Sequence, residues 1–257
     1  MDGTAIEAIL TGSVADTIGS GGAAGMTALQ TLRRPEAVIF DFDGVIADTE
    51  PLHYDAFLKV LEPLGISFAW ETYVDTYMGF DDRDAFREAF RDHGRPLDDR
   101  RLSELVEAKS RVFRVVIRDG VKAYPGVIPM IESLHASGVP MAICSGALRS
   151  DIDPILSGLG VARRFLHVVT AEDVRKSKPD PECYVLAFRR LSHSLPQVIS
   201  APRNCLAVED TPAGIEAAKG AGLSVLAVTN SHPPEELSGA DSITDSLANV
   251  RMAGMRP

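Results

Sequence analysis

Residues 37–49 read Ala37-Val38-Ile39-Phe40-Asp41-Phe42-Asp43-Gly44-Val45-Ile46-Ala47-Asp48-Thr49. An unbroken apolar run of this length that stops at acidic residues and a glycine is how a strand buried on both faces ends in a parallel sheet. Asp41 and Asp43 stand two positions apart, so both side chains leave one side of the strand's end, and Gly44 permits a tight turn behind them. Two such carboxylates repel unless a cation joins them. A hard divalent ion that takes oxygen ligands resolves the repulsion, and Mg²⁺ is the expected one, with Mn²⁺ able to substitute. Taken alone, the run is also compatible with a strand followed by an acidic turn.

Outward from this stretch, similar apolar runs recur at 139–144, 166–169, 204–208 and 223–227, with helical spacing near 126–137, 181–192 and 212–219. Alternation of this kind predicts βαβ units and an α/β fold built on a doubly wound parallel sheet. Residues 50–122 break the alternation. They predict helices near 50–63, 69–78, 82–93 and 98–118, punctuated by Pro63, Gly79, Gly94 and Pro96, and so an inserted α-helical cap domain. The core then comprises 35–49 and 123–257. Residues 1–34 read as a flexible tail, because Gly19-Ser20-Gly21-Gly22-Ala23-Ala24-Gly25 carries too little side chain to pack. The GxGxxA string at Gly19–Ala24 has no strand before it and no acidic ribose partner, which favours a linker over a dinucleotide site. Met26 is an alternative start, since the folded pattern opens only near Pro35.

Ligands of open parallel sheets bind beyond the carboxyl ends of the strands. The second run ends in Ser145-Gly146, a hydroxyl with open amides that suits an anionic oxygen and equally suits a helix cap. Lys178, in Lys176-Ser177-Lys178-Pro179-Asp180-Pro181, is braced by proline just before a helix; a solvated surface lysine is the plain alternative. The fourth run ends in Glu209-Asp210, then Thr211-Pro212, where the hydroxyl can cap a helix that proline opens. Their carboxylates could serve only the helix dipole. Together, the strand ends place acidic ligands, a phosphate-sized pocket and one cation on one rim.

The composition narrows the partners. The chain has 257 residues, 45% of them hydrophobic, and 26 Lys plus Arg against 36 Asp plus Glu, a net charge of -10. Its basic pairs are scattered, which argues against nucleic acid. No run approaches a membrane span, and Asp2 and Glu7 stand where a secretion signal wants basic residues. Cys144, Cys183 and Cys205 form no CxxC pair and are odd in number. A reduced, cytoplasmic protein that folds without disulfide staples is expected.

In order, DFDGVIADT, ICSGA, KSKPD and VEDTPAGIEAAKGAG resemble the haloacid dehalogenase-like superfamily over about residues 36–230. The helical insert directly after the first motif is similar to the branch holding phosphoglycolate phosphatases and beta-phosphoglucomutases. The resemblance implies that Asp41 attacks phosphorus and Asp43 is general acid and base. It also implies that Ser145 and Lys178 hold the phosphoryl group and that Asp210 completes a Mg²⁺ site with Asp41, Asp43 and Glu209. Gly44, Gly146, His53 and Arg83 are further candidates for substrate contact, although His53 and Arg83 also suit ordinary helix surface. Asp43 favours phosphate esters over carbon–halogen bonds, because an alkoxide leaving group needs a proton and halide does not. A Mg²⁺-dependent phosphatase acting on a small phosphorylated metabolite is the first expectation. A beta-phosphoglucomutase-like mutase is the second, and a non-catalytic anion-binding module the third. Against the mutase pattern, the arginine after Gly79 is displaced by one residue, Arg149 replaces an asparagine, and the cap lysine is expected to give way to an apolar residue near Val115.

Overall fold

Val38–Phe40, all fully buried, form the strand that the opening motif predicts, and it lies in the interior of the main sheet. The computed structural model describes residues 29–78 and 80–254. In chain order the strands are β1 Gln30–Leu32, β2 Val38–Phe40, β3 Met141–Cys144, β4 His167–Val169, β5 Leu206–Glu209, β6 Ser224–Val228, β7 Ser242–Thr244 and β8 Val250–Met252. Six of them make one sheet in the order β4-β3-β2-β5-β6-β7, every pair parallel. The expected doubly wound sheet is what the chain builds. Because β3 and β5 flank β2 on opposite sides, the winding reverses at β2, and a crevice opens beyond its carboxyl end.

Side chains alternate across the sheet with the period of a strand. Val38, Phe40, Met141, Ile143, Leu206 and Val208 pack on one face with α5 (Val127–Ala136) and α6 (Arg149–Gly158). Ala37, Ile39, Ala142, Cys144, Ala207 and Ala227 pack on the other with α7 (Glu182–Ser194) and α8 (Pro212–Gly220). The small residues of this second face admit the helices closely. There Cys144 of β3 and Cys183 of α7 are joined by a disulfide, with Cα atoms 5.8 Å apart. This corrects the expectation of three reduced thiols: 39 residues separate the pair, and only the docking of α7 on β3 brings them together. Cys205 is free and buried.

The insert contains α1 Glu50–Leu61, α2 Trp70–Thr72 continuing into a π-helical turn at Tyr73–Tyr77, α3 Asp82–Asp92 and α4 Asp99–Val116. Asp81 caps α3 by accepting from the Asp84 amide at 2.9 Å, and Asp98 caps α4 through the Arg101 amide at 2.7 Å. These helices close over an apolar cluster of their own, with Phe57, Leu61, Ile66, Phe86, Phe90 and Leu105 at its centre.

Order also begins before the point the sequence suggests. Gln30–Leu32 pair in parallel with Val250–Met252, so residues 30–34 are not part of a tail. A three-residue strand with no alternating pattern acquires its partner only in three dimensions. The glycine-rich string and Met26 lie outside the described residues. Among those described, no helix is long and apolar enough to cross a membrane.

Candidate active site

Asp41 leaves the carboxyl end of β2 buried, with its amide donating to the Val208 carbonyl of β5 at 2.9 Å. Its Oδ1 is 2.8 Å from Lys178 Nζ, which also donates to Glu209 Oε1 at 2.6 Å. The Tyr184 hydroxyl donates to that same Glu209 oxygen at 2.6 Å. Burial alone lowers the proton affinity of Lys178, but Asp41 and Glu209 outweigh it and hold the ammonium well above its ordinary value. Asp41 shifts upward too. Burial is the main cause, and Glu209 and Asp43 add to it against the pull of Lys178. The cation is shared between two carboxylates and neutralises only one of them.

Asp41, Glu209 and Asp210 each present an oxygen within 4.8 Å of the others. Asp210 is fully buried; its Oδ2 accepts from Ser231 Oγ, and its Oδ1 has no hydrogen-bond partner. Burial first, then Asp41 and Glu209, raise its proton affinity well above normal. An all-oxygen donor set with surplus negative charge and one orphaned buried oxygen fits a hard divalent cation, whose charge would reverse these shifts. Gly44 makes room for this arrangement. Its φ is +74°, and a Cβ there would run into the Asp210 carboxylate and Ser231. Gly44 therefore shapes the turn, and its carbonyl accepts from Asn230 Nδ2 at 2.6 Å.

Asp43 turns away from the acidic trio. Its Oδ1 accepts from Thr49 Oγ1 at 2.5 Å and pairs with His53 Nε2 at 3.1 Å, while Oδ2 has only a long 3.4 Å contact from Ser145 Oγ. Thr49 and His53 thus hold the Asp43 carboxylate on the insert side, outside the trio of converging carboxylate oxygens. Burial works to raise its pKa, but His53, Thr49 and Lys109 together keep it below the usual range. Ser145 accepts from the Ala147 amide at 3.0 Å and caps no helix, since α6 starts only at Arg149. Gly146 lies against the backbone of Phe80 and Asp81, at the seam between core and insert.

The insert supplies a residue that sequence reasoning missed. Lys109 of α4 is wholly buried; its Nζ lies 2.5 Å from His53 Nδ1 and 2.6 Å from Asp82 Oδ1. An ammonium can only donate, so His53 accepts at Nδ1 and carries its proton at Nε2, aimed at Asp43. Phe113 stacks on the imidazole at 4.1 Å and holds it flat. The lysine expected to be lost near Val115 is thus present six residues earlier, and Val115 is exposed. A signal did exist: Leu102, Leu105, Lys109 and Phe113 fall on one helical stripe, and a cation inside an apolar stripe seeks a buried partner.

Arg83 is not brought to the site. It donates to Asp81 Oδ2 at 3.0 and 2.5 Å and to the Ala171 carbonyl at 3.1 Å, so it fastens insert to core. Asp82 takes its place in the cavity wall, which also includes Asp41, Asp43, Glu50, His53, Tyr73, Tyr77, Gly146 and Lys178.

A sequence profile of the haloacid dehalogenase-like hydrolases matches residues 38–228, and those residues contain every one of the groups named in the cavity wall. The chain belongs to this family. Protein CbbY of Cereibacter sphaeroides is 30% identical over 225 residues, 84% of this chain and 94% of its own length. Fructose-1-phosphate phosphatase YqaB of Escherichia coli is 28% identical over 195 residues, 76% of this chain and 97% of its own. A crystal structure of Rhodobacter sphaeroides CbbY in complex with xylulose-(1,5)bisphosphate superposes with a TM-score of 0.76 at 26% identity, covering 86% of this chain and 98% of that one.

Proposed function

We propose that this hydrolase is a Mg²⁺-dependent phosphatase of small phosphate monoesters that acts through an aspartyl-phosphate on Asp41. The observation that supports it most is Asp41 itself, which sits between Lys178 and the Glu209–Asp210 pair at the switch point of the sheet. Asp41, Glu209 and Asp210 would hold the Mg²⁺, which when bound offsets charge on the phosphoryl oxygens.

An oxygen of Asp41 bonds to phosphorus as the ester's P–O bond breaks. Lys178 and Ser145 steady the equatorial oxygens, and Asp43 gives a proton to the departing alkoxide. Its Oδ2 is the oxygen available, because Thr49 and His53 already occupy Oδ1. The resting site favours ionised Asp43, and an arriving phosphoryl anion beside it raises its affinity for a proton taken from solvent, which it then passes to the alkoxide. In the second step, water gives a proton to Asp43 and attacks phosphorus, releasing phosphate and regenerating Asp41. The helical insert acts as a cap that excludes bulk water and reads the rest of the substrate.

A mutase reading ranks second. Lys109 removes one objection to it, yet a mutase must also hold a second phosphoryl group, and Arg83 is engaged elsewhere. The test is phosphate release from a panel of sugar phosphates with Mg²⁺ or EDTA, with Asp41→Asn as control. Metal-dependent release that the variant loses supports the phosphatase; release that the variant retains refutes the covalent scheme. Conversion of beta-glucose 1-phosphate to glucose 6-phosphate faster than phosphate release would put the mutase first.

A further inference from the structure

Asp82 opens α3, is 9% exposed, and has one carboxylate oxygen on Lys109 at 2.6 Å. Its other oxygen, Oδ2, is buried without a hydrogen-bond partner among the described residues, in a residue that lines the active-site cavity. A buried carboxylate oxygen left open at a ligand cavity is complementary to a donor that the ligand brings.

The rest of this wall has the same character. The Tyr73 hydroxyl donates its proton to Glu50 Oε2 at 2.6 Å, and the Tyr77 hydroxyl donates its own to Asp92 at 2.9 Å. Both phenols line the cavity with their protons already committed, and so can only accept. Asp43 and Glu50 are acceptors as well. Among the described residues, the nearby cations are all engaged: Lys109 by Asp82 and His53, Arg83 by Asp81 and Ala171, and Lys178 by Asp41 and Glu209 at the phosphoryl end.

We propose that Asp82 is a specificity-determining residue that accepts a hydrogen bond from a hydroxyl at the far end of the substrate, confining the enzyme to singly phosphorylated polyols with no other charged group and excluding bisphosphates. The proposal rests on the phosphatase reading of the same site. A second phosphate dianion would bring acceptors to a wall of acceptors and negative charge to Asp82, with no free cation to receive it. A hydroxyl brings the donor that Oδ2 lacks.

The experiment compares kcat/KM for a matched pair, fructose 1-phosphate and fructose 1,6-bisphosphate, in the wild type and in Asp82→Asn. The wild type is expected to prefer the monophosphate about 100-fold or more, because a polar site rejects a ligand that leaves its buried groups unmatched. Asp82→Asn keeps an oxygen for Lys109 but loses the charge, and is expected to shrink that preference about tenfold, chiefly through a lower KM for the bisphosphate. Equal or faster cleavage of the bisphosphate by the wild type overturns the proposal, as does an unchanged ratio in a folded Asp82→Asn. If circular dichroism shows the variant unfolded, the wild-type ratio alone decides. If neither ester releases phosphate, the phosphatase reading is what has failed. Calorimetric binding of the two esters to Asp41→Asn then decides, with equal or tighter binding of the bisphosphate counting against Asp82.

Discussion

Lys109 has no exposed surface, and its ammonium is shared between His53 and Asp82. Removing it leaves Asp82 buried without its partner and frees the His53 ring to change tautomer. Lys109→Met is expected to lower kcat about 10- to 100-fold and to destabilise the fold by about 3 kcal/mol, the usual effect of stranding one half of a buried pair. The double variant Lys109→Met, Asp82→Leu should regain most of that stability in urea unfolding without regaining turnover. Recovery of both would show that the network is structural only. Gly44 offers a sharper case, since its φ of +74° and the Asp210 carboxylate at its back leave no room for a methyl group. Gly44→Ala is expected to cost about 1–3 kcal/mol and to abolish activity, measured by thermal unfolding and phosphate release. At this scale the gathering of the core's polar groups was legible, because Asp41, Ser145, Glu209 and Asp210 end or directly follow apolar runs whose ends must meet at one rim, and Lys178 stands in a proline-braced loop before a helix. Arg83 had two readings for a physical reason: an arginine on a helix's first turn can face either the ligand or its own capping aspartate, and spacing does not distinguish them; here it faces Asp81.

The ends of β2 and β5 together carry Asp41, Glu209 and Asp210, three buried carboxylates against one shared lysine. Without a divalent ion this junction opposes folding. Mg²⁺ at 100 times its Kd should therefore stabilise the protein by about 2.7 kcal/mol, and Asp210→Asn should raise the melting temperature in EDTA while abolishing the response to Mg²⁺. The pH dependence follows from the same shifts. Asp41 and Asp210 hold protons in the folded state above the ordinary aspartate value, so the native state binds more protons than the unfolded one in that window. Stability in EDTA is expected to fall as pH rises from about 4 through the raised values, and saturating Mg²⁺ should flatten the slope in urea titrations at successive pH values. Five of the six strands in the main sheet announced themselves as apolar runs. β7 and the β1–β8 pair did not, because three-residue strands carry too little alternation to be distinguished from loop. α6 escaped too: its interior Pro154 reads locally as a break, yet the helix survives on the packing of Ile152, Ile155 and Leu156.

At the scale of the whole molecule, insert and core share apolar packing, since Ala56 of α1 and Phe113 of α4 belong to the core's cluster, and polar bridges around the cavity add to it. Arg83 reaches the Ala171 carbonyl, Ser177 donates to Asp84, and Ser110 donates to Asp151 at 2.8 Å. The insert has its own apolar cluster, so these bridges set its position more than its stability. Arg83→Ala with Ser177→Ala is expected to raise KM several-fold while changing unfolding free energy by less than about 1 kcal/mol, since partly exposed pairs contribute little; an unchanged KM would show that closure does not depend on them. The pairing of Gln30–Leu32 with Val250–Met252 bears on how the chain is made. A ribosome adding 5–20 residues each second needs roughly 10–40 s to travel from one strand to the other. Within that interval β2 also waits for β3, made about halfway through it, and then for β5, while the insert, whose contacts are local, can already condense. The insert can thus form ahead of the site it will cover, and the catalytic rim comes into being only once β5 has been made.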